Sequence, residues 1–365
     1  MPMKLLIENA KKHILETKDL NNGLREPGRA RIVVMGCGGG GCNTVDRLMK
    51  LGIEGAECIA VNTDQQHLNQ VKADQHILIG RHITRGLGAG GYPEIGAASA
   101  EESRRELTEF LRDADLVFVS AGLGGGTGTG AAPTVAEIAK ETDAIVVGVV
   151  TTPFEVERAR NEKAREGLRN LRRHADTVIV IDNNKLLEIA PQLPIDAAFS
   201  VADEVLARFV KGITETISLP SLINLDYADV RTVMTDGGVA MVGVGESGEK
   251  NRVEDAVNAA LKCPLLELDI TGATAALIHV SGGTDMTLEE ATKAADIVAK
   301  RLANNAMVIW GARQDPELRD MIRVMLIVTG VQSPQVLGPQ ENHFWNQKRP
   351  RDFSDFDLPG DIPKL

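Results

Sequence analysis

The 365-residue sequence lacks any run of about 18 apolar residues, the length that a membrane-spanning helix needs, so no direct membrane span is expected. Its first twelve residues hold only a short apolar stretch at positions 5–7 before polar residues resume. A secretory signal peptide needs a longer apolar centre. Together, the two absences predict a cytoplasmic protein.

Cysteine is scarce, with only Cys37, Cys42, Cys58 and Cys263 in the whole chain. Their spacing matches no zinc motif, and four residues are too few for a disulfide-stabilised scaffold of this length. We therefore expect four free thiols in a reducing compartment.

Positive charge is also in short supply. The 40 lysines and arginines are outnumbered by 51 aspartates and glutamates, which gives a formal net charge of −11. Nucleic-acid-binding proteins need clustered Lys and Arg to neutralise phosphates, so a nucleic-acid partner is not expected. An anionic ligand could bind only where backbone N–H groups or a metal ion offset the negative charge.

Short apolar runs alternate with longer helical stretches in the first half of the chain. The runs occupy residues 32–35, 58–61, 77–79, 116–120, 145–150 and 178–181. This alternation predicts a Rossmann-like α/β domain, in which helices cover both faces of a parallel sheet. Ligands of such sheets bind at the carboxyl ends of the strands.

A long amphipathic helix is predicted over residues 199–217, where apolar residues recur at helical spacing. Beyond it, apolar runs alternate with helices near 250–262 and 287–302, which predicts a second, α+β domain. The runs occupy residues 239–244, 275–280, 307–310 and 322–328. We expect the long helix to connect the two domains.

The predicted organisation has six parts, because a Pro-, Gln- and Asn-rich composition after Gly330 indicates a linker and a tail without a packed core. The parts are an N-terminal helical extension (1–28), a nucleotide-binding domain (29–198), the central helix and its loop (199–222), the α+β domain (223–331), a linker (332–351) and a tail (352–365).

Glycine-rich segments follow three of the predicted strands. The first, G-x-G-x-x-G at residues 36–41, fits the turn of a dehydrogenase and that of a GTPase equally well. The second, at 122–130, precedes a predicted helix at 133–141, and a Rossmann dehydrogenase has no need of it. The third lies at 86–91. Backbone N–H groups of such loops can surround phosphate oxygens without interference from Cβ atoms.

The sequence contains no G-x-x-x-x-G-K-[ST] motif, so no P-loop lysine is available to neutralise the phosphates. We expect Mg²⁺, bound through the nucleotide phosphates, to take that role. No metal site made of protein side chains is predicted.

The run GGGTGTG at residues 124–130 is the signature of the tubulin/FtsZ family of GTPases, and the chain resembles this family from about residue 30 to 330. The sequence of these segments is most similar to that of archaeal members. The resemblance implies the tubulin/FtsZ fold and a GTP-dependent cytoskeletal protein of cell division. It also implies head-to-tail filaments at the midcell division ring. The other supporting segments are GCGGGGCN (36–43), NTD (62–64), RGLGAGGYP (85–93), TPF (152–154), NLDYAD (224–229) and GVQS (330–333).

The resemblance also implies the residues of a GTP/GDP site. Asn183, Phe199 and Asp203 would hold guanine, with Asp203 accepting from the N1–H and N2–H₂ groups that distinguish guanine from adenine. The remaining contacts would come from Gly38, Gly39, Gly40, Asn43, Asn62, Asp64, Ala89, Gly90, Gly91, Gly124, Gly125, Gly126, Thr127, Gly128, Thr129, Gly130, Glu157 and Arg160.

The chain departs from the family pattern at several of these positions. Glu157 matches the ribose-contacting acid, but ERARN replaces the usual E-G-x-x-R. The choice between Arg158 and Arg160 as the nucleotide-contacting arginine therefore stays open. Cys42 and Tyr92 stand where asparagine is common, and Ser221 stands where glycine is usual.

Asp226 and Asp229 have the i, i+3 spacing that presents two carboxylates on one helix face. Helix capping explains such a pair as well. In the family these acids position the water that attacks the γ-phosphate, and Asn224 holds the loop. Because a helix rises 1.5 Å per residue, the chain travels roughly 20 to 25 Å between Asp203 and these acids. We therefore predict hydrolysis between subunits.

The tail DFSDFDLPGDIPKL at 352–365 resembles the peptide by which FtsZ proteins bind membrane-tethering adaptors. Two alternatives remain. One is a paralogue of the tubulin superfamily with a shape or scaffolding role, and the other is a Rossmann oxidoreductase, which the second glycine segment disfavours.

Overall fold

The computed structural model describes residues 30–331, apart from 190–191, 193, 219–220, 224, 236, 263–269, 271–272 and 304. The extension, linker and tail predicted at 1–28, 332–351 and 352–365 lie outside the described residues, and so does Asn224. No helix in the described ranges is long and apolar enough to cross a membrane.

The first half of the chain forms parallel strands in the order β3-β2-β1-β4-β5-β6, which confirms the predicted Rossmann-like sheet. Alternate residues enter two hydrophobic clusters, one on each face of the sheet. The strands are β1 (Ile32–Cys37), β2 (Ala56–Asn62), β3 (Gln75–Leu78), β4 (Leu116–Gly122), β5 (Ile145–Thr152) and β6 (Thr177–Asp182).

Helices cover both faces of this part of the sheet. Their bounds are α1 (Gly38–Leu51), α2 (Gln65–Leu68), α3 (Pro93–Glu102), α4 (Arg104–Leu111), α5 (Thr127–Glu141), α6 (Arg158–His174) and α7 (Asn183–Ile189), with a 3₁₀ turn at Glu155–Glu157.

The predicted central helix is α8 (Ile195–Ser218), which begins four residues earlier than expected. Leu206, Phe209 and Val210 are buried on its inner side. The ring of Phe209 meets that of Phe118 in β4 edge to face, with centroids 6.4 Å apart. At 1.5 Å per residue, the 24 residues make a rod about 36 Å long.

The second half confirms the predicted α+β composition. Its strand β7 pairs with β6 in parallel over three residues, so that the described strands form one ten-stranded sheet. From there, β10 lies antiparallel between β7 and β8, and β9 forms the edge. The elements are α9 (Tyr227–Met234), β7 (Gly238–Ser247), α10 (Arg252–Leu261), β8 (Ala275–Gly282), α11 (Leu288–Ala299), β9 (Met307–Gln314) and β10 (Ile322–Thr329).

Two helices begin earlier than the sequence suggests. We expected a turn at residues 36–41 and helical structure from residue 133, whereas α1 begins at Gly38 and α5 at Thr127. Glycine has low helix propensity, and for this reason both glycine runs were assigned to loops. Packing overrides that propensity here, because Gly38 and Gly41 in α1 and Gly128 and Gly130 in α5 lie where neighbouring backbones come too close for any side chain.

Candidate nucleotide-binding site

The amino ends of α1 and α5 meet at the carboxyl edge of the sheet. A Cβ atom on Gly38 would lie 2.6 Å from the backbone nitrogen of Gly128, and one on Gly40 would lie 3.0 Å from the Cα of Gly122. Gly38 also has φ +70°, which favours glycine. Two helix amino ends so close together concentrate N–H donors and positive dipole ends, the features of an anion-binding site.

The third glycine segment reaches the same place. A Cβ atom on Gly126 would lie 2.9 Å from the Cβ of Ala89 and 3.1 Å from the backbone nitrogen of Gly91. The hydroxyls of Thr63 and Thr127 join β2 to α5 through a hydrogen bond of 2.6 Å. The structure therefore brings together all three glycine segments predicted from the sequence.

Glycines of the second segment differ in their surroundings. Gly128 and Gly130 lie inside α5, and a Cβ atom on Gly130 would lie 1.9 Å from the carbonyl oxygen of Pro93 in α3. Gly39 and Gly125, in contrast, would place a Cβ atom in open space. Thr129 accepts a hydrogen bond from the backbone N–H of Gly124 at 2.8 Å. Part of the segment thus packs helices together, while another part leaves bare backbone for a ligand.

Asn62 and Asp64 shape the turn that follows β2. The Oδ1 atom of Asn62 accepts from the N–H groups of Thr63 and Asp64, at 2.9 and 3.3 Å. Asp64 caps α2 by accepting from the N–H groups of residues 66 and 67, and the N–H of Gln65 donates to the carbonyl of Gly86. The turn that these side chains shape holds the third segment through backbone bonds from Gln65 to Gly86 and from Gly88 to Thr63. Direct contact of Asn62 and Asp64 with nucleotide stays a prediction.

Asn183 and Asp203, which were predicted to hold the base, both present acceptors. Asn183 is 7% exposed, and its Oδ1 atom has no hydrogen-bond partner among the described residues. Asp203 on α8 accepts from the hydroxyl of Thr44 at 3.3 Å. Burial raises the pKa of Asp203 to about 6, although the Thr44 hydrogen bond and the charge of Arg47 act in the opposite direction.

Asn43 and Phe199 were also predicted to contact the nucleotide. Asn43 is exposed in the first two turns of α1. Phe199 belongs to α8, but its side chain lies outside the described part of the structure.

Of the two candidate arginines, Arg160 lies beside the second glycine segment. A Cβ atom on Gly124 would lie 3.0 Å from the Cβ of Arg160. The guanidinium of Arg160 donates to Glu157 at 2.6 Å, and the other oxygen of Glu157 accepts from the N–H of Phe154. Arg158 is exposed, and its side chain makes no hydrogen bond or ion pair within the described ranges.

Lys163 is a residue that sequence reasoning missed. From α6, its Nζ atom donates to the carbonyl oxygen of Gly91 at 2.7 Å and lies 5.5 Å from the centroid of the Tyr92 ring. No motif marks a lysine at this position. The only available signal was Tyr92, itself a departure from the family pattern.

Asp226 and Asp229 form a reciprocal capping box at the start of α9. Asp226 accepts from the N–H of Asp229 at 2.9 Å, and Asp229 accepts from the N–H of Asp226 at 3.1 Å. The hydroxyl of Tyr227 donates to the carbonyl of Asp115, the residue before β4. The two acids therefore lie near the amino end of β4, whereas the glycine segments follow its carboxyl end.

Three of the four cysteines, Cys37, Cys42 and Cys58, are buried free thiols, as expected. Burial raises the pKa of Cys42 to about 12, and its thiol donates to the carbonyl of Gly36. Cys263 lies outside the described residues.

Comparisons with known proteins agree with this geometry. Residues 31–191 match the GTPase domain of the Tubulin/FtsZ family, and residues 238–332 match the C-terminal domain of the FtsZ family. The chain is 57% identical to cell division protein FtsZ 2 of Methanocaldococcus jannaschii over 340 residues, which cover 92% of this chain and 90% of that protein.

Solved structures show the same relationship. An FtsZ dimer structure from M. jannaschii superposes with a TM-score of 0.79 at 50% identity, covering 89% of this chain and 92% of that one. CetZ2 from Haloferax volcanii shares the fold, with a TM-score of 0.70 at 24% identity over 83% of this chain and 93% of its own. With its GTPase domain and its C-terminal domain both matched, the chain belongs to the FtsZ family.

Proposed function

We propose that this chain binds GTP at the carboxyl edge of its parallel strands and hydrolyses it between successive subunits of a head-to-tail filament that serves cell division. The matched GTPase domain supports the substrate. Relatives named cell division protein, at up to 57% identity, support the cellular role.

The observation that carries the proposal is the separation between Asp203, proposed to bind the base, and the acids Asp226 and Asp229. Asp203 stands near the start of α8, and the helix continues for fifteen more residues, to Ser218, before the acid-bearing loop begins. That length corresponds to about 22 Å. The capping box lies near the amino end of β4, at the opposite end of the strand from the second glycine segment. One subunit therefore cannot bring its own acids to its own nucleotide.

The site fits a guanine nucleotide. The unpartnered Oδ1 atom of Asn183 and the carboxylate of Asp203 are acceptors for the N1–H and N2–H₂ donors of guanine, which adenine does not present in that arrangement. The paired amino ends of α1 and α5 suit the phosphates. Glu157 and Arg160, held together beside Gly124, suit the ribose and its neighbouring phosphate.

Mg²⁺ would reach this site through the phosphates. No group of three or more His, Cys, Asp or Glu side chains within the described residues is placed to hold a metal ion. Mg²⁺ commonly keeps several waters and binds through phosphates with few protein ligands, so the donor set is compatible with it. Bound in this way, the ion would neutralise phosphate charge.

Asp226 and Asp229 would orient the attacking water for the neighbouring subunit. Each carboxylate spends one oxygen on the capping box, and the other oxygen has no hydrogen-bond partner in the described ranges. The cap fixes both side chains, so their remaining lone pairs are directed before a water arrives. Positioning and charge stabilisation supply most of the catalysis in phosphoryl transfer.

Exposed apolar side chains at both ends support a head-to-tail contact. Leu87, Tyr92 and Val156 surround the nucleotide end and are 82, 59 and 85% exposed, and Leu222 in the acid-bearing loop is 60% exposed. Apolar groups left in water often mark interfaces. Because the two surfaces differ, their contact is heterologous and extends into filaments.

The finer assignments belong to the same proposal. We retain the division into a GTP-binding domain (29–198), the central helix and its loop (199–222) and a C-terminal domain (223–331). The sequence of the tail at 352–365 supports binding to a membrane-tethering adaptor. Such an adaptor would bring the filaments to a midcell ring in the cytoplasm.

The catalytic assignment is tested with Asp229→Asn. Asparagine keeps an oxygen that can accept from the N–H of Asp226, so the cap of α9 is preserved and only the charge is lost. We expect GTP binding and assembly to persist while phosphate release falls by at least about tenfold. This is a conservative figure, because a positioned acid or base usually contributes about 10²- to 10⁴-fold to the rate.

Asp255→Asn is the matched control, because Asp255 is an exposed aspartate in the first turn of α10. It should turn over GTP at the wild-type rate. Wild-type turnover by Asp229→Asn would refute the catalytic role of that residue.

A further inference from the structure

Lys163 holds the third glycine segment from outside. The turn at residues 89–92 closes through a hydrogen bond of 3.0 Å from the N–H of Tyr92 to the carbonyl of Ala89. Its two central residues, Gly90 and Gly91, have φ values of +61° and +78°. Residues 90–92 are exposed, and the Nζ atom of Lys163 is the side-chain donor that bonds to them within the described part of the chain.

Tyr92 fixes the lysine in turn. The ammonium lies 5.5 Å from the centroid of the exposed ring, within the range of a cation–π contact. Glycine has more backbone freedom than any other residue type, so a turn built on Gly90 and Gly91 needs outside contacts to hold one conformation. Without the lysine, the turn would keep its contact with Gly126 on one side and lose its bond on the other.

The contacts also order the site from end to end. Asp203 and Thr44 lie at the base end, where Thr44 belongs to α1. The amino end of α1 meets that of α5 through Gly38 and Gly128, and the residue before α5, Gly126, meets Ala89 and Gly91. The turn at 89–92 is therefore the last segment in this series of contacts, counted from the proposed base end, and the terminal phosphate of a triphosphate would lie there.

We infer that Lys163 is a positioning residue that sets the preference for a nucleoside triphosphate over a diphosphate by holding the turn at 89–92 against the amino end of α5. Its bond to the carbonyl of Gly91 anchors the outer side of the turn, so that the backbone N–H groups of the segment are in place for the last phosphate. The inference rests on the proposed GTP site and adds to it a determinant outside the motifs of the family.

The test compares two probes, GDP and the slowly hydrolysed analogue GTPγS, each titrated with Mg²⁺ into nucleotide-free full-length protein below the concentration at which it assembles. Lys163→Met keeps the aliphatic stem and removes the donor. We expect it to weaken GTPγS binding about five- to tenfold, the net contribution of one ordinary hydrogen bond in contact with water, and to leave GDP binding within about twofold. The unfolding temperature of the free protein should not change.

Three further variants make the result specific. Lys163→Arg should restore GTPγS affinity, because arginine can donate to the Gly91 carbonyl and stack on Tyr92. Tyr92→Ala should weaken GTPγS binding alone, and should have a smaller effect when Lys163 is already methionine. Arg165→Met removes an exposed charge from the same helix and should leave both affinities unchanged.

Equal weakening of GDP and GTPγS by Lys163→Met would overturn the inference, and so would no weakening of either. A wild-type protein that binds neither nucleotide would instead overturn the proposed function on which the inference rests.

Discussion

At the scale of single residues, the proposed base end of the site holds two acceptors, Asn183 and Asp203, with which guanine could pair. Asn183 buries an Oδ1 atom with no partner among the described residues, and burial raises the pKa of Asp203 to about 6. A buried acceptor without a donor costs stability. Guanine would supply the missing donors. Binding would then remove the free-energy penalty of the unpaired acceptor, which favours the bound state.

Asp203 predicts a pH dependence of nucleotide affinity. Its carboxylate must be ionised to accept from guanine, and its pKa in the free protein is about 6 rather than the ordinary 3.8. GTPγS affinity should therefore fall as the pH drops from 7.5 towards 5, by about tenfold per unit below pH 6. Equilibrium titrations across this range would show it, and an affinity that stays flat down to pH 5 would contradict it.

Asp203→Asn is the control for that pH dependence. The variant should bind GTPγS weakly, with an affinity that hardly varies between pH 5 and 7.5. Because the folded pKa lies above the unfolded value of 3.8, the ionised group costs the free protein roughly 3 kcal/mol above pH 6, and the cost fades as the pH falls towards 4. At pH 7.5 the free variant should therefore unfold at a higher temperature than the wild type.

At the scale of elements, glycines near the amino end of α5 fall into two groups: some allow close helix packing, and others leave open space beside the backbone. Gly130→Ala would place a Cβ atom 1.9 Å from the carbonyl oxygen of Pro93, whereas Gly125→Ala would place one in open space. Gly130→Ala should destabilise the protein by about 1–3 kcal/mol, since α3 and α5 must separate. Gly125→Ala should stay within about 0.5 kcal/mol of the wild type but weaken GTPγS binding, because the new methyl group would enter the open space proposed for the phosphates.

Urea unfolding and GTPγS titration of the same two variants would distinguish the two groups. Equal stability of the two, or wild-type affinity of Gly125→Ala, would show that the division between packing and ligand-facing glycines is wrong.

The strands were the most predictable elements. Each of the ten apolar runs is a strand, because buried strands read as continuous apolar sequence. The early starts of α1 and α5 were missed, since glycine propensity argues for a loop and only packing explains a helix there. The pairing of β6 with β7 was also out of reach, because residues 177–179 and 238–240 carry no local signal of their partnership.

The sequence predicted which loops form the candidate site, but it predicted fewer of the individual contacts between side chains. The three glycine segments converge as expected, because the carboxyl ends of parallel strands share one edge. Asp226 and Asp229 fit both interpretations weighed from the sequence, since they cap α9 and still present one oxygen each. Lys163 was not predictable, because its role depends on α6 lying beside the turn at 89–92.

At the scale of the whole molecule, the length of the strands separates the proposed nucleotide site from the acids proposed to act in hydrolysis. The seven residues of β4 span about 23 Å between Asp115, which accepts from Tyr227, and the second glycine segment. The helix α8 bridges the same interval on one face of the sheet. In the proposed mechanism, a subunit built in this way carries two incomplete halves of one active site, and a neighbour would complete each of them.

This central claim is tested most directly by mixing two inactive variants. Asp229→Asn keeps the nucleotide end but lacks the acid charge, whereas Asp203→Asn keeps the acids but holds GTP poorly. In an equal mixture, random pairing makes about a quarter of the head-to-tail contacts fully competent. We predict that the mixture releases phosphate at about a quarter of the wild-type rate at the same total protein concentration. A mixture no faster than the average of the two separate variants would contradict catalysis between subunits.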